Sequence, residues 1–262
     1  MALPKALLCV LGHSDTAEIP EESRLRASGF ATATLQWAEV SSHQRGWMQL
    51  LPIVNDPAVQ AWVFAGHPAD FTDEVHCQIA MLTLAITRSS PPLTAFVLTG
   101  SGEEPQLTNL LDHIRIFRGN AAFAAKLAAA RLKPQLPRPL PFHVKAHIDP
   151  LIGQWFEVGP DAGESWNGFM IGVVEAETIA FGVGARGLLP EKSTLHYPQC
   201  GIKGEWGGHI FSACAARNEL GPEDACYVKV EGCPRILFVT QYPDDQPEGA
   251  GGEYRVRALE IF

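Results

Sequence analysis

Ionisable and hydroxyl side chains follow three short apolar runs in the first half of the sequence, and a glycine opens each group. They are His13 and Asp15 after Gly12, His67 and Asp70 after Gly66, and Ser101 and Glu103 after Gly100. Glycine lets the backbone turn tightly or approach a bound molecule closely. Imidazole, carboxylate and hydroxyl groups can together hold a small polar molecule. The same residue types also cap helices, so helix capping is the alternative interpretation of these loops.

The same residues admit two catalytic interpretations. The histidines and aspartates of this set are ligand types that suit zinc, iron or manganese, and would make the protein a metal-assisted hydrolase. A serine hydrolase would need Ser101 as nucleophile, but the surrounding Gly-Ser-Gly sequence departs from the G-x-S-x-G turn of such enzymes. Nothing in the spacing of these loops identifies a metal site, so we assign no metal ligands.

Phosphate-binding motifs are missing from the sequence. No G-x-G-x-x-G follows the first apolar run, and no P-loop occurs. The segment from Ser14 to Glu18 has hydroxyls suited to a flavin phosphate, but Asp15 and Glu18 would repel an anion. These observations argue against flavin mononucleotide and against nucleotide hydrolysis, and they leave the cofactor unassigned.

Cysteine and histidine side chains are concentrated in the second half of the sequence. They are His196, Cys200, His209, Cys214, Cys226 and Cys233. Thiolate and imidazole form the usual zinc sites, but the C-x2-C pair typical of them does not occur here. A disulfide pair and buried free thiols are the alternatives, and burial is the commonest environment of cysteine.

The elements that must position the first set alternate between two patterns. Short apolar runs predict strands at Ala6–Leu11, Ala31–Trp37, Ala61–Ala65 and Thr94–Thr99. Helical spacing predicts helices at His43–Val54, Asp73–Arg88, Gln106–Arg118 and Asn120–Leu132. This alternation is typical of a parallel sheet. We predict a small doubly wound α/β sheet, flavodoxin-like in broad shape, whose strand ends form a ligand-binding rim.

The second half reads as all-β. Short runs predict strands at Gln154–Val158, Gly168–Val174, Thr178–Val183, Thr194–Tyr197, His209–Ala213, Ala225–Glu231, Arg235–Gln241 and Tyr254–Ile261. One helix is expected at Cys214–Leu220. Glycine-rich and acidic turns between many short strands favour an antiparallel β-barrel or sandwich.

A proline-rich segment separates the two halves. Four prolines in the sequence RLKPQLPRPLPF fix φ and remove backbone donors, so the segment is expected to be extended. We predict an α/β domain at residues 1–132, a linker at 133–142 and an acidic, glycine-rich β-domain at 143–262. Residues 1–142 carry 11 Lys and Arg against 12 Asp and Glu, a net charge of −1. Residues 143–262 carry 9 against 17, a net charge of −8.

The whole-chain composition limits the partners. A formal net charge of −9 over 262 residues argues against nucleic acid and against anionic membranes. No run of 18 apolar residues and no signal-peptide pattern occurs, so a cytoplasmic protein with reduced cysteines is predicted.

The leading functional hypothesis is a non-catalytic protein that binds a small molecule or a protein partner at the strand-end rim or between the domains. The ligand-binding residues would be His13, Asp15, His67, Asp70, Ser101 and Glu103. The metal-assisted hydrolase is the alternative, and an assembly subunit that presents the acidic β-domain is a further one.

Overall fold

The chain divides into two compact units, Met1–Arg138 and Pro139–Phe262. A computed structural model describes residues 3–12, 19–41, 46–118, 122–131, 139–241 and 256–262. The division falls within the proline-rich segment, but residues 132–138 lie outside the described residues. The predicted bounds of 1–132, 133–142 and 143–262 therefore stay a prediction. None of the helices in the described residues is long and apolar enough to cross a membrane.

The first unit contains a parallel sheet of five strands. They are β1 (Lys5–Val10), β2 (Ala31–Gln36), β3 (Val59–Gly66), β4 (Leu93–Leu98) and β5 (Arg115–Arg118). Their order in the sheet is β2-β1-β3-β4-β5, and every neighbouring pair is parallel. The four strands predicted from apolar runs are present, with bounds that differ by one or two residues.

Helices pack against both faces of this sheet. They are α1 (Pro20–Ala27), α2 (Trp37–Ser41), α3 (Leu51–Asn55), α4 (Asp73–Ala85) and α5 (Phe123–Ala130). On one face, Leu25 of α1 and Leu127 of α5 pack on Val63 and other inward residues of the strands. On the other face, Trp37 contacts Phe64 edge to face, and His76 of α4 stacks on a second strand phenylalanine. Strands buried on both faces explain the continuous apolar runs.

The predicted helix Gln106–Arg118 is wrong. Residues 103–108 have no regular structure, residues 109–113 form turns, and Arg115–Arg118 forms β5. β5 pairs in parallel with β4, from Ala95 opposite Arg115 to Leu98 opposite Arg118. Leu110, Leu111 and Ile114 are nevertheless buried, so their helical spacing reflects burial within an irregular segment.

The predicted helix Asp73–Arg88 is observed as α4, three residues shorter. Its N-cap is Thr72, whose hydroxyl accepts a hydrogen bond from the Val75 N–H at 3.4 Å. Asp73 and Glu74 in the first turn complement the helix dipole. The helix ends at Ala85 because Ile86 is extended, with ψ at 122°. Of the other predicted helices, His43–Val54 begins outside the described residues, and Gly46–Leu50 forms a 3₁₀ helix before α3.

The second unit contains two antiparallel sheets. The first sheet has the order β6 (His143–Asp149), β7 (Gly153–Gly159), β12 (Asp224–Glu231) and β9 (Glu177–Ala185). The second has the order β10 (Gln199–Trp206), β11 (His209–Leu220), β8 (Trp166–Val174), β13 (Ile236–Gln241) and β14 (Val256–Glu260). A buried hydrogen bond of 2.8 Å between the Thr178 and Ser212 hydroxyls links the two sheets. The described strands form these two sheets and no closed barrel.

Two predictions within the β-unit are wrong. The expected helix at Cys214–Leu220 is the second half of β11, which pairs with β8 on one side and β10 on the other. Thr194–Tyr197 is not a strand. Pairing with β8 along most of the segment, and with β10 at Cys214 and Ala215, outweighs the helix propensity of the alanines.

The N-cap of α4 provides a test of the first unit. We expect Thr72→Ala to lower the free energy of unfolding by about 1 kcal/mol, because a backbone donor loses its partner. Thr72→Ser keeps the hydroxyl and should lie within a few tenths of a kcal/mol of the wild type. Urea denaturation of the three proteins measures both differences. Equal losses in both variants would contradict a capping role.

Candidate functional site

The loops that the sequence singled out lie at the carboxyl edge of the parallel sheet. β1 and β3 are neighbours in the sheet. From β1 the chain continues to β2 on one side, and from β3 it continues to β4 on the other side. A parallel sheet has its ligand-binding crevice at such a reversal, outside the carboxyl ends of the strands. Gly12 follows β1 and Gly66 ends β3, so both glycines flank this position.

Asp70 fills the space between the first two loops. A Cβ atom on Gly12 would lie 2.8 Å from Oδ2 of Asp70, and one on Gly66 would lie 3.1 Å from the same oxygen. That oxygen also accepts the backbone N–H of His67 at 2.7 Å. Glycine is therefore required at position 12 for the half-buried carboxylate to occupy this place.

His67 belongs to the second loop, and its ring contacts the third loop. Its exposed ring accepts the Ala69 N–H at Nδ1, at 3.3 Å, so in the neutral ring the hydrogen is on Nε2. A Cβ on Gly100 would lie 2.9 Å from Cδ2 of His67, and one on Gly102 would lie 3.1 Å from Pro68. Gly100 also has φ at +78°, which favours glycine. The third loop thus packs directly on the second.

The described residues of the predicted site divide into two groups. His67 and Asp70 are brought together, since each is hydrogen-bonded within the 3₁₀ turn Pro68–Asp70. Ser101 and Glu103 are exposed on the third loop, on either side of Gly102. His13 and Asp15 lie outside the described residues. The assignment of the six as ligand-binding residues stays a prediction.

A second polar cluster, absent from the sequence predictions, lies in the β-unit. His143 and His147 are four residues apart on β6 and therefore point to the same face of the sheet. Glu157 on β7 lies between them and has no exposed surface. Its Oε1 is 2.7 Å from Nε2 of His143, and its Oε2 is 2.6 Å from Nε2 of His147.

A short segment, Ala185–Leu188, covers this carboxylate, and we call it the strap. The Gly187 N–H donates to Oε2 of Glu157 at 3.0 Å, and the Leu188 N–H donates to the Tyr227 hydroxyl at 3.1 Å. The same hydroxyl donates to the Ala185 carbonyl at 2.6 Å. The strap is therefore held on the sheet by Glu157 and Tyr227.

The electrostatics of the cluster follow from these contacts. Burial alone would raise the pKa of Glu157, but the hydrogen bonds from His143, His147 and Gly187 outweigh it and hold that pKa well below its usual range. Burial, together with the nearby charge of Glu157, raises the pKa of Tyr227 to about 12. Glu157 is thus a buried carboxylate that stays ionised, and Tyr227 stays protonated at neutral pH.

The sequence contains a signal for this cluster. The segment HVKAHID at 143–149 alternates polar and apolar residues, which is the pattern of a half-buried strand. Glu157 stands between Phe156 and Val158 in the predicted strand QWFEV, and a carboxylate on a buried strand needs a partner. If β6 had been predicted as a strand, His143 and His147 would have been recognised as the partners of this carboxylate.

No protein-family model matches the chain, and no curated protein matches its sequence. The candidate sites are therefore characterised by their geometry. Within the residues that the structure describes, no group of three or more His, Cys, Asp or Glu side chains is arranged to hold a metal ion.

The buried carboxylate predicts a specific pH dependence of stability. We expect Glu157→Gln to lower the free energy of unfolding at neutral pH by about 3 kcal/mol, because it removes one partner of a buried charged cluster. The folded-state pKa of Glu157 lies below the unfolded-state value, so its contribution is complete above about pH 5 and declines as the pH falls. The difference between wild type and variant should therefore shrink towards about pH 3.

Urea denaturation at several pH values measures this difference. Glu231→Gln is the matched control, because Glu231 is an exposed carboxylate at the end of β12. The control should differ from the wild type by no more than about 0.5 kcal/mol at any pH. A Glu157→Gln effect that is equally large at acidic and neutral pH would show that the charge is not what stabilises the cluster.

Proposed function

We propose that the chain binds a small polar molecule at the carboxyl edge of its parallel sheet, between the loops that follow β1, β3 and β4. The close packing of Gly12 and Gly100 on the turn that follows β3, at the strand reversal, carries the proposal. Gly12 and Gly100 lie so close to Asp70 and His67 that a side chain at either glycine would collide with them. Glycines in such positions are typical of loops that are packed around a binding site.

We also propose that the first unit is flavodoxin-like. Its strand order, β2-β1-β3-β4-β5, is the order of flavodoxin-like sheets, and helices lie on both faces. In such sheets the ligand lies at the edge where Gly12, His67 and Asp70 are found. The likeness supports the position of the site, while the chemistry of the ligand must come from the side chains.

The side chains favour a ligand that both donates and accepts hydrogen bonds. Asp70 uses Oδ2 for the His67 N–H, which leaves Oδ1 to accept from a ligand. His67 uses Nδ1 for the Ala69 N–H, which leaves Nε2 to donate. The exposed Glu103 adds a second carboxylate to the half-buried Asp70, so an amine or a polyol fits this site better than a phosphate. In the proposal, His13, Asp15 and Ser101 complete the polar lining.

Binding a small molecule needs fewer protein groups than the alternative function, which is a metal-assisted hydrolase that uses the same loops. A catalytic zinc site has three protein ligands. His67 and Asp70 have only Nε2 and Oδ1 left, because the other nitrogen and oxygen already take part in hydrogen bonds of the turn. Within the described residues, Glu103 is not grouped with them in an arrangement that could hold a metal ion. The binding role is therefore the function that these contacts support best.

A thermal-shift screen tests the proposal with polyols, monosaccharides, amino acids and alkyl amines, each at millimolar concentration. A compound at about one hundred times its Kd stabilises the folded protein by about 2.7 kcal/mol. We expect at least one of these compounds to raise Tm by several degrees. Asp70→Asn removes the charge but keeps the shape, and should reduce that rise by at least half.

The control is Glu191→Gln, which removes one exposed carboxylate from the second unit. It should respond to the compound as the wild type does. If no compound raises Tm, or if Asp70→Asn responds like the wild type, the binding site is not at this rim.

A further inference from the structure

Two cysteines face each other on neighbouring strands at the edge of the second antiparallel sheet. Cys200 is on the edge strand β10, and Cys214 is directly opposite it on β11. Opposed residues of an antiparallel pair have Cα atoms about 4.5 or about 5.5 Å apart, and their side chains share a face. Disulfides span Cα separations of about 4.4 to about 6.8 Å. The register alone therefore places the two residues within bonding range.

The side chains also lie close together. The Cys200 and Cys214 thiols lie close enough to interact electrostatically, and Thr178 lies beside the Cys214 thiol. The register shifts between Cys200 and Ile202, and Gly201 has φ at +72°. A bulge with glycine in this conformation bends the edge strand at the cysteine. Little backbone movement is then needed to bring the sulfurs together.

The two thiols differ in their access to solvent. Cys200 is exposed, whereas Cys214 is fully buried between the sheets. A third free thiol, Cys226 on β12, is buried and lies within electrostatic reach of both sulfurs. An exposed thiol beside a buried one is the arrangement in which one cysteine is oxidised first and the other resolves it.

We propose that Cys200 and Cys214 form a reversible cross-strand disulfide when the protein meets hydrogen peroxide. The Cys200 thiolate attacks one peroxide oxygen, so an S–O bond forms, the O–O bond breaks and the leaving hydroxide is protonated to water. The Cys214 sulfur then attacks the sulfenic acid, so the S–S bond forms and the S–O bond breaks. A second water leaves with the Cys214 proton. Two thiols are oxidised to one disulfide, and one peroxide is reduced to two waters.

Burial of Cys214 slows the second step. Burial raises the pKa of Cys214, and its closeness to Cys200 adds to the effect. The thiolate is the attacking form, and burial disfavours it. The second step should therefore become faster as the pH rises.

Peptide mapping of the full chain tests the proposal. The protein is treated with a small excess of hydrogen peroxide, its remaining thiols are alkylated, and it is digested with trypsin. Cleavage after Lys192, Lys203, Arg217 and Lys229 places Cys200, Cys214 and Cys226 on three separate peptides. We expect a linked pair of the Cys200 and Cys214 peptides, which a dithiol reductant separates again.

Two variants serve as controls. Cys200→Ser changes an exposed residue and should abolish the linked pair while leaving Cys214 and Cys226 free. Cys226→Ala should leave the Cys200–Cys214 pair intact. Three results would overturn the proposal: a Cys200 that proceeds to sulfinic acid unlinked, a linked pair of Cys214 and Cys226, or thiols protected by one equivalent of bound zinc.

Discussion

A carboxylate removed from water must be given hydrogen-bond donors, and this constraint organises the first antiparallel sheet of the second unit. Glu157 receives three donors from two parts of the chain: His143 and His147 on β6, and Gly187 on the strap. These contacts tie both β6 and the strap to β7. Val144 and Phe156 lie on the opposite, buried face, so the same pairing that satisfies the charge also orients the apolar core.

At the rim of the first unit, by contrast, the polar side chains are only partly used in hydrogen bonds within the protein. Asp70 and His67 are also tied into local structure, but each through one atom, at Oδ2 and at Nδ1. Oδ1 of Asp70 and Nε2 of His67 take no part in these hydrogen bonds, and Gly12 and Gly100 let the neighbouring backbone approach both side chains closely. Both oxygens of Glu157 are engaged by the protein, whereas one oxygen of Asp70 is not used in the turn. This difference is why we place ligand binding at the rim and assign a structural role to the buried cluster.

Sequence patterns predicted the elements with strong local signals. The apolar runs of β1 and β3 and the helix that begins at Asp73 were found because burial leaves a periodic mark within a few residues. β5 was missed because a four-residue strand pairs only with β4, and its neighbours have helical spacing. At the rim, the sequence identified the glycine-opened loops, but the contact between Asp70 and Gly12 depends on tertiary packing.

The uneven charge of the chain affects how selectivity can arise at the rim. The first 142 residues have a net charge of −1, against −8 for the remainder. Exposed charges are screened within about 10 Å at ordinary ionic strength, so a nearly neutral unit exerts little long-range attraction on a ligand. Selection must then come from the groups that touch the bound molecule. Asp70 and His67 offer one acceptor and one donor at fixed positions, and this short-range pattern would distinguish an amine or a polyol from an anion of similar size.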